Sequence, residues 1–115
     1  MLDLAKKAQN NSHSPYSNFK VGAVLKTKNG NVYTGTNIEC AAYFSVCAER
    51  LAFYKAIESG EKDFESIAIY GSSNPCYPCG TCRELMNEFC DGDFKIITTE
   101  ETILLKDLFP KGFKK

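Results

Sequence analysis

A chain of 115 residues has the length of a single domain with enough material to bury a core. Fourteen Lys+Arg balance fourteen Asp+Glu, and 43% hydrophobic with 24% charged residues is an ordinary globular mixture, which excludes a disordered chain and a polybasic nucleic-acid coat. No stretch reaches the roughly 18 apolar residues of a membrane span, and the start, MLDLAKKAQNNSH, lacks a signal peptide's apolar centre, so one cytoplasmic domain over 1–115 without membrane partner is expected.

Leu2, Ala5 and Ala8 at helical spacing predict a helix over 2–10, stopped by the turn-prone run Asn10-Asn11-Ser12-His13-Ser14-Pro15. Two β-rich runs, Val21 to Thr27 and Asn31 to Gly35, flank Asn29-Gly30 and predict an antiparallel hairpin. An irregular segment, Asn37 to Val46, leads into a helix that begins at Cys47, carries Ala48, Leu51, Ala52, Lys55, Ala56 and Ile57, and stops at Gly60. Ser66 to Tyr70 reads as a short apolar strand. A second helix over 80–89 shows the stripe Cys82, Leu85, Met86 and Phe89. Phe94 to Thr98 is another strand, and Thr102 to Phe109 suits either a strand or a helix before Pro110. This order, roughly αββαβαβ with a tail, predicts a mixed sheet covered by helices.

Six cysteines exceed what packing requires, and in a reducing compartment they point to metal or catalysis. Cys79-Gly80-Thr81-Cys82 spans nearly one turn at a predicted helix start, where unpaired N–H groups and the positive dipole end favour thiolate. Cys47 opens the other helix and supplies a third thiolate for a zinc site with one open position. Cys76 keeps the alternatives open: Cys76/Cys79 has the same spacing, and Cys47 with Cys76, Cys79 and Cys82 would make a closed, structural four-thiolate site. Pro78 at the helix start favours the Cys79/Cys82 pair. A thioredoxin-like redox pair would leave Cys47 unexplained. Cys40 and Cys90 read as buried small hydrophobes and His13 as solvated surface.

Glu49 lies two residues beyond Cys47, and a carboxylate beside a metal suits proton shuttling. Two helical residues that close stand about 200° apart, so both reach one pocket only if Cys47 sits at the helix edge. Arg50 follows, with donors suited to bond the sulfurs and offset their charge.

At this point the chain resembles the cytidine deaminase family in its small, homotetrameric, all-cysteine zinc form. The matching segments are residues 14–23 (SPYSNFKVGA), Thr36-Asn37-Ile38-Glu39, Cys47-Ala48-Glu49-Arg50 and Pro78-Cys79-Gly80-Thr81-Cys82-Arg83. The resemblance implies an α/β, three-layer α-β-α fold with a five-stranded mixed sheet and one Zn²⁺ per subunit on Cys47, Cys79 and Cys82. It implies hydrolytic deamination of cytidine and 2′-deoxycytidine in pyrimidine salvage: zinc-bound hydroxide attacks C4 while Glu49 carries the proton to N3 and then to the leaving amino group. It further implies that Asn37 and Glu39 bond the ribose, that Phe19 neighbours the pyrimidine, that Ala48 lines the substrate site, and that Tyr43 and Phe113 reach a neighbouring subunit's nucleoside. A polynucleotide substrate would ask for a basic channel that a balanced charge does not provide, and a free base would have little use for Asn37 and Glu39. The remaining rivals are a deaminase of another cytosine compound and a structural zinc module.

Overall fold

The computed structural model describes residues 1–113. Five strands, β1 (Val21–Thr27), β2 (Val32–Thr36), β3 (Phe64–Gly71), β4 (Lys95–Ile97) and β5 (Thr102–Leu104), form one sheet in the order β2-β1-β3-β4-β5. β1 runs antiparallel to β2 and β3, β3 is parallel to β4, and β4 is antiparallel to β5. The parallel step is the one that needs a crossover, and helix α3 (Gly80–Phe89) provides it. The other helices are α1 (Leu2–Ala8), followed by a 3₁₀ turn over Gln9–Asn11, α2 (Ala48–Glu58) and α4 (Leu105–Leu108).

Two glycines set the layers. Gly22 faces α1, where a Cβ would stand 1.8 Å from the Ala5 carbonyl oxygen. Gly35 faces α2 on the opposite side, where a Cβ would stand 2.1 Å from the Ala48 carbonyl oxygen. Each helix therefore rests directly on strand backbone, and the second contact fixes where α2 begins. Helix α3 shares the α2 face: Cys82 and Met86 join Ala52, Phe53, Ile67, Ile69 and Ile96 in the main core. The arrangement is the expected α-β-α sandwich around a five-stranded mixed sheet.

Phe53, unremarked in the sequence pattern of α2, is fully buried at the core's centre, its ring 5.1 Å from Phe64 and 5.9 Å from Phe94. The buried stripe of α2 is Ala48, Glu49, Ala52, Phe53 and Ala56, which places a carboxylate among apolar neighbours. β3 extends beyond its apolar centre to Phe64 and Gly71, because β1 pairs with it along that length. The segment after Thr102 is both strand and helix: the Thr98 hydroxyl accepts from Glu100 N–H and Glu101 N–H, each at 3.2 Å, turning the chain back onto β4 before α4 starts.

Two expectations about side chains are corrected. Phe89 is 38% exposed, since the inward line of α3 slants through Cys82 and Met86 to Cys90 instead. Cys90 is buried as expected, but Cys40 is exposed, because the chain over 40–45 leaves the body between the bridges at Ile38 and Val46.

Candidate active site

The register Gly22↔Thr36 and Val21↔Gly71 brings the start of β1, the end of β2 and the end of β3 to one edge of the sheet. Segments leaving those ends carry Phe19, Asn37, Glu39 and Cys76 through Cys79, while Gly35 seats the start of α2 beside them. A cavity of about 310 Å³ opens there, lined by Phe19, Asn37, Glu39, Cys47, Ala48 and Glu49 among others. That volume lies near the lower end of the roughly 300–1,000 Å³ usual for small-molecule sites.

Both helices beside the cavity begin on cysteine. Cys47 is the N-cap of α2 and Cys79 that of α3, each in extended backbone conformation with no side-chain cap hydrogen bond. Their sulfurs are 3.8 Å apart, Cys79 and Cys82 Sγ are 3.4 Å apart, and all three lie within 4.8 Å of one another. Sulfurs at 2.3 Å from a shared tetrahedral centre stand about 3.8 Å apart, so the trio fits one zinc ion per chain, and soft thiolate donors select that metal. Cys76 lines the cavity but is not in the cluster. Of the alternatives left open by the sequence, the Cys47, Cys79 and Cys82 set is the one brought together, since Cys76 precedes the helix start that aligns Cys79 and Cys82. Burial, then the charge of Glu49, pushes the Cys76 thiol up to about 11.

Charge within the trio is uneven before metal binds. The hydrogen bond from Cys82, followed by the Arg50 guanidinium, holds Cys47 down at about 5, whereas the same bond and burial raise Cys82. Arg50 Nη2 donates to Cys47 Sγ at 3.6 Å and to the Ser45 carbonyl at 3.3 Å, the counter-charge expected of it. Metal binding would displace the shared proton and leave all three as thiolates.

The N-cap position of Cys47 resolves the angular problem with Glu49: the cysteine's extended backbone lies outside the helix, so both side chains turn into the cavity. Glu49 is 5% exposed, and burial, reinforced by the Cys47 charge, pushes its carboxyl up to about 7. A group poised there can accept and return a proton near neutrality.

Asn37 is held by three partners. Its Oδ1 accepts from Val21 N–H at 2.9 Å and Ser12 Oγ at 2.6 Å, and its Nδ2 donates to the Phe19 carbonyl at 2.8 Å. One N–H remains to point outward. Glu39 accepts from the turn at residues 16 and 17 and is held below the usual carboxylate range, chiefly by the Ser17 hydroxyl. Ala48 forms the buried floor beside Glu49.

Tyr43 and Phe113 stay away from this cavity. Tyr43 is fully exposed with Phe44 beside it, and Phe113 is 71% exposed, its carbonyl accepting from Asn87 Nδ2 at 2.7 Å. His13 presents an exposed side chain, as expected, although its backbone bonds Asn37 and Glu39. Sequence reasoning missed Val21, Ser45, Val46 and Tyr77 as cavity lining. Adjacency to Cys47 was the available signal for Val46, and a place between Cys76 and Cys79 that for Tyr77. Tyr77 also donates to Glu101, tying the loop before α3 to the β4–β5 turn.

Comparison with known proteins agrees with this geometry. The model for the cytidine and deoxycytidylate deaminase zinc-binding region matches residues 1–98. The chain is 41% identical to a cytidine deaminase of Sporosarcina psychrophila, covering 96% of this chain and 87% of that protein. It is 39% identical to one from Halalkalibacterium halodurans, covering 98% and 91%. The crystal structure of a cytidine deaminase from Burkholderia pseudomallei superposes with a TM-score of 0.90 at 37% identity over 97% of this chain and 95% of that one. That of the Mycobacterium tuberculosis cytidine deaminase gives 0.92 at 28% identity over 100% and 95%.

Proposed function

The chain belongs to the family of cytidine and deoxycytidylate deaminases, and from that premise we propose that it hydrolyses cytidine and 2′-deoxycytidine to the uridine forms and ammonia, in pyrimidine salvage in the cytoplasm. The observation that carries this reading is the buried Glu49 beside a three-thiolate cluster in one cavity.

Cys47, Cys79 and Cys82 would hold the zinc ion, which when bound would supply Lewis acidity and lower the pKa of water towards neutrality. Glu49, ionised at the start, takes a proton from the attacking water onto its carboxylate. It delivers that proton to N3 of the pyrimidine as C4 gains oxygen. The carboxylate then takes the proton of the new C4 hydroxyl and passes it to the amino nitrogen, so that the C4–N bond breaks, C4 becomes a carbonyl carbon and ammonia leaves. Burial of Glu49 supports this role by matching its pKa to both halves of the transfer.

Asn37 and Glu39 offer a donor and an acceptor to the ribose hydroxyls, and Phe19 and Ala48 provide apolar wall to the base. Arg50 steadies the charge on Cys47. We assign Tyr43 and Phe113 to neighbouring copies' cavities in a homotetramer; their exposure, and their not lining this chain's own cavity, support that placement.

The test mixes zinc-loaded protein with cytidine and follows the ultraviolet change, with uridine and ammonia quantified. Equal amounts of both are expected. Protein that binds one zinc per chain and forms no uridine would overturn the assignment.

A further inference from the structure

Ser17 has no part in the proton transfers, yet its side chain joins two walls of the cavity. Its hydroxyl donates to Glu39 Oε2 at 2.6 Å and accepts from Phe19 N–H at 3.0 Å. The N–H groups of Tyr16 and Ser17 donate to Glu39 Oε1 at 3.0 and 3.1 Å. At the same residue, in the following peptide group, the Phe19 carbonyl accepts from Asn37 Nδ2 at 2.8 Å. One continuous chain of bonds therefore runs Asn37, Phe19 backbone, Ser17, Glu39, linking three cavity-lining residues through one that does not line it.

This chain of bonds depends on a tight local turn. Asn18 N–H donates to the Ser14 carbonyl at 3.0 Å, and Asn18 itself has φ 56°, a left-handed conformation that asparagine tolerates better than most residues. The turn aims the Ser17 hydroxyl and two N–H groups at one carboxylate. An ionised carboxylate has about four acceptor directions, so three are occupied and the turn determines where the remainder points. Glu39 follows β2 in a segment without a strand ladder, and three free side-chain torsions would otherwise have to be ordered when ligand binds.

We propose that Ser17 is a positioning residue that presets Glu39 and the Phe19 backbone in one arrangement, so that the acceptor for the ribose and the wall for the base are correctly spaced before the nucleoside enters. The inference rests on the reading of Glu39 as a ribose-binding group. An interaction made equally in ground and transition states changes KM and leaves kcat nearly alone.

The experiment measures KM and kcat for cytidine in Ser17→Ala, Ser17→Thr, Glu39→Ala and the Ser17→Ala/Glu39→Ala double variant, all zinc-loaded. Ser17→Ala is expected to raise KM about tenfold, the scale of a lost hydrogen bond to a charged group, with kcat within about twofold. Ser17→Thr, which keeps the hydroxyl, should restore KM, and Ser17→Ala should add nothing once Glu39 is gone. Ser17 is exposed, so its truncation leaves the core intact; an unchanged melting temperature checks this, and Ser17→Cys, a weaker donor, gives an intermediate KM. An unchanged KM in Ser17→Ala beside a raised one in Glu39→Ala overturns the positioning role and spares the ribose reading. Losses that add in the double variant also overturn it. An unchanged KM in both single variants removes the ribose reading and the proposal together.

Discussion

Helices α2 and α3 start alike and do different work. Each has a cysteine at its N-cap, extended backbone there, and no side-chain cap hydrogen bond, and each of these cysteines lines the cavity. They part at the next positions. The second helical residue is Glu49 in α2, 5% exposed, and Thr81 in α3, exposed; the third is Arg50 in α2 and the buried Cys82 in α3. In the function we propose, the start of α3 serves metal ligation alone, whereas the start of α2 provides one ligand, the proton carrier and the counter-charge. The difference comes from what lies beneath: Gly35 lets α2 settle on β2, which draws its first turn, Glu49 included, into the interior.

Exchanging function at equivalent positions should break this contrast most sharply. Glu49→Gln is expected to lower kcat by about 10²–10⁴ while one zinc per chain is retained, and Thr81→Ala to leave kcat within about twofold. Steady-state kinetics with metal analysis decides; comparable losses in the two variants would erase the distinction between the helix starts.

Metal retention probes the third position. Cys82→Ser should lose more than the roughly 100-fold in zinc affinity that an outer partner can account for, whereas Cys76→Ser, outside the cluster, should hold zinc normally. Competition with a chelator measures both.

A pH comparison isolates the burial of Glu49 in metal-free protein. Because its folded pKa, about 7, is above the ordinary carboxyl value of 4.5, its contribution is fully present below pH 4.5 and is lost as pH rises through 7. Glu49→Gln should therefore be more stable than the parent by on the order of 3 kcal/mol at pH 8, the advantage fading towards pH 5. Denaturant titrations at the two pH values test the sign.

The smallest effect belongs to Arg50. Its 3.6 Å bond to Cys47 has no counterpart at Cys79 in α3 among the described residues, and Arg50→Ala should weaken zinc binding about 10–100-fold. Equal affinity in parent and variant would show that α2 needs no counter-charge.

Much of this was legible before any coordinates. The Asn29-Gly30 hairpin, both helix starts and the candidate ligands Cys47, Cys76, Cys79 and Cys82 follow from local patterns, because turn chemistry, helix periodicity and ligand spacing act over a few residues. Phe53 was not legible, since nothing local to α2 reveals that Phe64 and Phe94 converge on its ring. Cys40 was misplaced for the same reason: its residue type suggests burial, but a segment without ladder partners carries it outward.

The sequence by itself determined the candidate residues for the chemistry and that two helices start on cysteine. Only the tertiary structure decided which of Cys76, Cys79 and Cys82 join Cys47, that Glu49 is buried enough to titrate near 7, and that Ser17 binds Glu39 across 22 residues of chain. Those outcomes depend on strand register and on backbone contacts such as Gly35 against Ala48, which bring together groups far apart along the chain.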